Sequence, residues 1–303
     1  MKLTLNPAPP FDFNLSARIF SNGDKQIRKY ENGKYWQVTR INDKLTLSTI
    51  AALGTVNKPK LLVELESNEE ISDKDEKIAK ETVSSLLNSD MNLKPFYEEV
   101  GNDRIMSGLT RKLRGLRSPT AETVFEALIS SITEQQISLN VAFSIQRRII
   151  KAFGDTLEIQ GKRYYAFPTP QKLASSTTEE LRNCGLSLRK AEYIHGASEL
   201  VTSKKLDLDK FKNYDNTKEI IDELCEIRGI GVWTAELTVI RGMQKFEAIP
   251  VDDIGLQRHV SHYYFGGKKI SSQELRKVAE KWGKWKGLAG FYLIVAESLG
   301  IEV

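Results

Sequence analysis

The sequence predicts an α+β protein: a small N-terminal antiparallel β-sheet with a helix, packed on a larger all-helical part. Two observations predict it. Short segments of alternating apolar and polar residues occur near the N-terminus, between 35 and 66. From 72 onward, apolar residues recur at helical spacing and the strand signal fades. The 303 residues suffice for one large domain or two ordinary ones. We divide them into a mixed N-terminal domain, 1–105, and a helical domain, 106–303.

The strands come first. YWQVTRI (35–41) alternates and is rich in aromatic and β-branched residues. Asn42-Asp43 can turn, KLTLSTI (44–50) alternates again, and KLLVELE (60–66) is a third run. A sheet with one face buried follows. Residues 72–88 open on a Ser/Asp cap and carry Ile78, Val83, Leu86 and Leu87 at roughly helical spacing. Pro119 opens a long apolar-periodic run through Val124, Phe125, Leu128, Ile132, Ile137, Val141 and Ile145. It reads as two helices broken near Gln135–Ser138, or as one long helix. Further helices are expected at 178–185, 188–203, 218–226, 232–242, 254–264 and 272–298.

Composition excludes several classes. Hydrophobic residues make up 40% and charged residues 28%, as in a globular protein rather than a disordered chain. Two cysteines, Cys184 and Cys225, can build neither a disulfide framework nor a four-cysteine iron–sulfur site, and both read as small buried residues. The N-terminus has two adjacent prolines and no long apolar run, unlike a signal peptide. No uncharged apolar stretch is long enough to span a membrane. The expectation is a soluble, intracellular protein. A net charge of +4 is compatible with a nucleic-acid partner without demanding one.

The most informative segment is IDELCEIRGIGVWTAELTVIRG (221–242). Gly229 and Gly231 flank Ile230, so the backbone can turn sharply and approach another surface closely. Their N–H groups and the start of the next helix form a natural phosphate cradle, to which the Thr234 hydroxyl could add. A plain tight helix–helix turn explains the same spacing. About twenty residues on, AIPVDDIGLQRHV (248–260) brings an Ile-Pro loop to Asp252-Asp253 and then a helix, which either Asp could simply cap. RKLRGLR (111–117) could neutralise phosphates through Arg111, Lys112, Arg114 and Arg117, or be a solvated face.

The combination of hairpin, helix, Pro loop and Asp resembles the helix-hairpin-helix (HhH-GPD) DNA glycosylase superfamily, and within it the AlkA-like 3-methyladenine DNA glycosylase II branch. GIGVWTAE (229–236), DIGLQR (253–258), LRNCGLSLRKAEYI (181–194), EQQIS (134–138), Trp282/Trp285/Lys286 and PPFDF (9–13) all carry the resemblance. It runs over nearly the whole chain, most densely from about 118 to 260.

The resemblance implies a base-excision-repair enzyme acting on double-stranded DNA with damaged bases, as a monomer. It would flip out alkylated purines of the 3-methyladenine type and hydrolyse the N-glycosidic bond. Asp253 is implied as the catalytic carboxylate, with Arg258 following at the family spacing, and Asp252 as a cap or helper. Trp233 stands where the strand-nicking branches carry a lysine nucleophile, so a monofunctional enzyme is implied. The base pocket would be Trp233 with Phe11 and Phe13, although Ile294 stands in the last helix where an aromatic is expected. Gln136 would enter the gap left by the base, helped by Gln135 and Ser138, while Arg228, Gly229, Gly231 and Thr234 contact the backbone. The resemblance also implies no required cofactor, a monovalent cation, Na+ or K+, held by hairpin carbonyls, and a cytoplasmic, nucleoid-associated location, or a nuclear one in a eukaryote. No metal role falls to His259, His262 or His195. The alternatives are an 8-oxoguanine glycosylase/lyase of the same superfamily, which needs the lysine, and a non-catalytic DNA-binding module.

Overall fold

The structure, a computed structural model, describes residues 1–21 and 23–303. The N-terminal half contains β1 (Lys2–Leu5), α1 (Phe13–Phe20), β2 (Arg28–Glu31), β3 (Lys34–Ile41), β4 (Lys44–Ala52), β5 (Leu61–Glu66), α2 (Asp73–Leu87), α3 (Lys94–Glu99) and α4 (Arg104–Lys112). Then come α5 (Val124–Glu134), α6 (Leu139–Phe153), the hairpin β6 (Thr156–Ile159) and β7 (Lys162–Tyr165), α7 (Pro170–Ala174), α8 (Thr178–Asn183) and α9 (Leu188–Thr202). The chain ends with α10 (Thr217–Cys225), α11 (Val232–Met243), α12 (Ile254–Phe265), α13 (Ser272–Ala279) and α14 (Lys286–Ser298).

The sheet has the order β1-β5-β4-β3-β2, all neighbours antiparallel. The expected turn between β3 and β4 is present. Asn42 and Asp43 both take positive φ, as a two-residue hairpin turn matched to strand twist requires. One sheet face packs on α1 and α2 through Tyr35, Ile41, Ile50, Val63, Leu65, Val83 and Leu87. The other face is also covered, contrary to the expectation of a single buried face. Val38 and Leu47 pack against Leu157 and Ala166 of the β6–β7 hairpin. That hairpin turns on Gln160-Gly161, both at positive φ, and its strands are too short to show a clear period.

The α2 start is a capping box. Ser72 caps the helix while the Asp75 side chain returns to the Ser72 N–H. The long run after Pro119 is two helices, α5 and α6, with the break at 135–138. Pro119 itself stays outside, because Thr123 is the N-cap of α5. The helix expected over 272–298 is instead α13, a short 3-10 segment and α14, since Gly283 takes positive φ inside it. The helical core runs from Leu93 to Ala296. Leu93, Phe96 and Val100 belong to it although they precede residue 106. No helix among the described residues is long and apolar enough to cross a membrane.

Candidate functional site

Two short connections meet at the start of α11. The first is the turn 226–231 between α10 and α11. Gly229 has φ +90°, and a Cβ there would lie 2.2 Å from the Tyr193 ring. Glycine is thus required twice over, for the conformation and for the packing of α9 beneath the turn. Ile230 is buried and plugs the turn into the core, as its apolar character suggests. Gly231 is the N-cap of α11, and its missing side chain leaves open space. Among the described residues no protein acceptor takes the Gly229 or Gly231 N–H. The turn therefore presents free donors at a helix start.

The second connection is the Pro250 loop before α12. Asp253 is the N-cap of α12, and its Oδ1 accepts the Leu256 N–H at 2.7 Å. Its other oxygen, Oδ2, accepts the Trp233 indole N–H at 2.9 Å. The carboxylate is therefore held from both sides, by its own helix and by α11. Asp252 does not cap. It accepts the Ser272 hydroxyl at 2.6 Å and so ties the loop to α13. Gly255, a residue for which the sequence offered no role, leaves the room Asp253 needs. A Cβ at 255 would stand 3.0 Å from Asp253 Oδ1.

Trp233 is half-buried, with its N–H edge on the carboxylate. Glu236, one turn further along α11, is pushed up to about 8 by burial and by Asp252 nearby, against Arg276. Burial thus favours its neutral, protonated form.

The α5–α6 junction lies against the same turn. Gln135 donates from Nε2 to the Gly229 carbonyl and to the Thr234 hydroxyl, both at 2.9 Å. This corrects two expectations. Gln135 is a staple of the hairpin, and Thr234 is buried with its hydroxyl turned to Gln135 rather than outward to a phosphate. Gln136 is exposed and takes φ +55°, which turns the chain between the helices. Ser138 is the exposed N-cap of α6, with its side chain making no cap bond. Buried Glu134 pairs with Arg241 of α11 at 2.7 Å, fixing α5 on α11. Arg228 is exposed, pairs with Glu192 at 2.7 Å and lies over the Tyr193 ring.

Other expectations fail on burial. Phe11 and Phe13 are buried in the N-terminal core, edge-on to each other, with no open face for a base. Sequence pattern could not tell a buried aromatic pair from a pocket wall. Of the basic run, Arg111, Lys112 and Arg114 are exposed, and only Arg117 is withdrawn from solvent and from any phosphate. Arg117 is fully buried under Phe11 and donates to the Ala8 carbonyl, Lys112 donates to the Glu302 carbonyl, and Arg114 binds Asn57. Cys184 is buried and Cys225 partly so, and burial raises both thiols. Trp282 is fully buried and Trp285 packs on Phe96 and Phe246.

Comparison with known proteins shows the family and the fold. The sequence profile of the HhH-GPD superfamily base excision DNA repair proteins matches residues 129–284, which include the hairpin and Asp253. A DNA-3-methyladenine glycosylase of Bacillus subtilis is 29% identical over 286 residues, 93% of each chain. The solved 3-methyladenine DNA-glycosylase of Archaeoglobus fulgidus superposes with a TM-score of 0.86 at 25% identity, covering 98% of this chain and 99% of that one. An 8-oxoguanine glycosylase/lyase of Clostridium acetobutylicum, solved with double-stranded DNA, shares the fold at a TM-score of 0.77 and 22% identity, over 99% of each chain. The chain belongs to the HhH-GPD superfamily of base excision DNA repair proteins.

Proposed function

We propose that this protein is a monofunctional DNA glycosylase that flips alkylated purines out of duplex DNA and hydrolyses their N-glycosidic bond. The observation that carries the reading is the Asp253 carboxylate, held by the Leu256 N–H and the Trp233 indole N–H. The names of the Bacillus subtilis and Archaeoglobus fulgidus relatives support 3-methyladenine-type lesions as the substrate class.

As the C1′–N bond breaks, its electron pair leaves with the base and positive charge develops on the sugar. A fixed carboxylate nearby stabilises that charge. Asp253 also orients a water, which adds at C1′ and loses a proton to leave an abasic site. An alkylated purine already carries positive charge, so it departs as a neutral base without needing a strong acid. Flipping costs a few kcal/mol, less for a damaged base, which favours lesions. Position 233 holds Trp rather than Lys, so no amine there can attack the sugar and nick the strand. The half-buried indole offers its edge to Asp253 and its face to an electron-poor base.

Backbone binding falls to the Gly229 and Gly231 N–H groups, with Arg228 beside them. Gln136, exposed at the α5–α6 turn, enters the space the base vacates, with Ser138 next to it. A monovalent cation fits the hairpin in one respect. The Ile227 and Gly229 carbonyls each accept one hydrogen bond, and a carbonyl oxygen has a second lone pair. Such a cation would hold the turn in shape. The protein acts on DNA as a monomer in this account. Release of free base from alkylated duplex, with strand breaks appearing only after alkali, tests the reading. Breaks without alkali would contradict its monofunctional part.

A further inference from the structure

Among the exposed large apolar side chains, Leu53, Ile294, Leu299 and Val303 lie away from helix starts, whereas four others stand at helix starts. Leu139 is 51% exposed, Leu188 50%, Val232 54% and Ile254 82%. Each is the first residue of a helix, namely α6, α9, α11 and α12 in turn. Other helices begin differently. Phe13 and Val124 are buried at the starts of α1 and α5, while Asp73, Arg104, Thr217 and Ser272 are polar starts. Nothing in helix initiation asks for Leu, Val or Ile there, since first-turn preferences run to Pro and acidic residues.

These four helix starts are also drawn together by specific contacts. Trp233 to Asp253 ties the start of α11 to that of α12. Gln135, just before α6, reaches Gly229 and Thr234 at the start of α11. Lys190, in the first turn of α9, donates to the Thr133 carbonyl at 2.9 Å, beside the same α5–α6 turn. Tyr193 of α9 packs under Gly229. The four apolar residues therefore stand at helix starts that these contacts link to the carboxylate and the hairpin. Val141, 48% exposed in the first turn of α6, joins them. Scattered exposed apolar residues are ordinary, but a gathered set marks a binding surface.

We propose that Leu139, Leu188, Val232 and Ile254 form an apolar collar that presses on the deoxyribose and base faces of the duplex around the flipped nucleotide. The occupant follows from continuity with the carboxylate and the hairpin, so the collar rests on the reading of this site as a DNA site. The division of labour is physical. Free N–H groups behind the collar take phosphates, and the collar takes the apolar sugar and base surfaces exposed when the duplex is bent and a base leaves the stack. Phosphate contacts set the salt dependence of binding through counterion release. The collar supplies a part of the affinity that salt does not touch.

The test uses the full chain and a duplex with one tetrahydrofuran abasic analogue, which the enzyme cannot cleave. Ile254→Ser, Leu188→Ser, Val232→Ser and Leu139→Ser are measured singly and combined, across salt concentrations. Each single variant is expected to weaken binding about fivefold, the combination by more, with the slope of log K against log salt unchanged. Thermal midpoints should stay near wild type, because the side chains are already in solvent. Unchanged affinity in the combined variant overturns the collar. So does a shallower salt slope, which would assign these positions to phosphate contact. A change in self-association with unaltered DNA binding overturns it in favour of a second copy of the chain. Base release by the wild type is scored separately. Its absence alongside weakened variant binding would sink the glycosylase reading and leave the collar standing.

Discussion

Asp253 has little freedom. Both of its oxygens are engaged, and Gly255 is the only residue type at 255 that leaves its Oδ1 undisturbed. Gly255→Ala should displace the carboxylate by a few tenths of an ångström while leaving α12 intact, since alanine favours helix. We expect base release to fall about tenfold with an unchanged or slightly raised thermal midpoint, because reacting groups tolerate little misplacement. Full activity in that variant would mean that the Asp253 position is not critical. Spacing singled out the two hairpin glycines, and the family resemblance singled out Asp253 and Trp233. Neither could reveal that Trp233 donates to Asp253 or that Gln135 and Thr234 turn inward to each other, because those bonds join residues 20 and 99 positions apart. Phe11, Phe13 and Arg117 misled for the matching reason. An aromatic or a cation looks the same in sequence whether it faces a ligand or a core.

Among the elements, the hairpin depends most on one backbone conformation. Gly229→Ala combines a left-handed φ with a clash against the Tyr193 ring. It should cost on the order of 1–3 kcal/mol of stability and weaken duplex binding, measured by denaturant unfolding and by titration with DNA. Near-wild-type values for both would show that the turn relaxes without loss. Most helices after residue 72 were legible because each buries one face and shows the matching period, and because Ser72, Asp253 and Ser271 sit at true caps. The β6–β7 hairpin and β1 were not legible, since strands of four residues carry too few alternations. The break in the last expected helix is set by Gly283, against which Glu99 packs from α3, a contact no local pattern contains.

Across the whole molecule, the sheet meets the helical part through partly buried carboxylates. Glu122 accepts the Arg40 N–H at 2.6 Å, and burial pushes it up to about 7. Glu126 beside it is also raised by burial, with Arg28 and Arg40 opposing. A raised carboxyl keeps its proton in the folded state after the unfolded chain has lost it. Its contribution to stability is thus full below the ordinary value of 4.5 and lost as pH rises through about 7. Glu236 acts in the same sense up to about 8. His259, lowered by burial, acts oppositely over the acidic part of the window. The informative comparison is therefore with Glu122→Gln, which should remove on the order of 1 kcal/mol of the stability lost between pH 5 and 8. An identical pH profile in wild type and variant, by urea unfolding, would refute this account of the interface. The joint between sheet and helices was invisible in sequence, because Arg40 and Glu122 lie 82 residues apart and neither stands in a motif.

We propose that the Asp253 carboxylate is what makes this chain an enzyme. The direct measurement is release of free base from alkylated duplex DNA by wild type, Asp253→Asn and Asp252→Asn. Asparagine keeps the size of the side chain and, through its one amide oxygen, the helix cap, while the charge and the acceptor for the Trp233 N–H are both removed. A loss of about a hundredfold or more is expected for Asp253→Asn, a small change for Asp252→Asn, and similar duplex binding in all three. Undiminished base release by Asp253→Asn, or none by a wild type that still binds duplex, would contradict it.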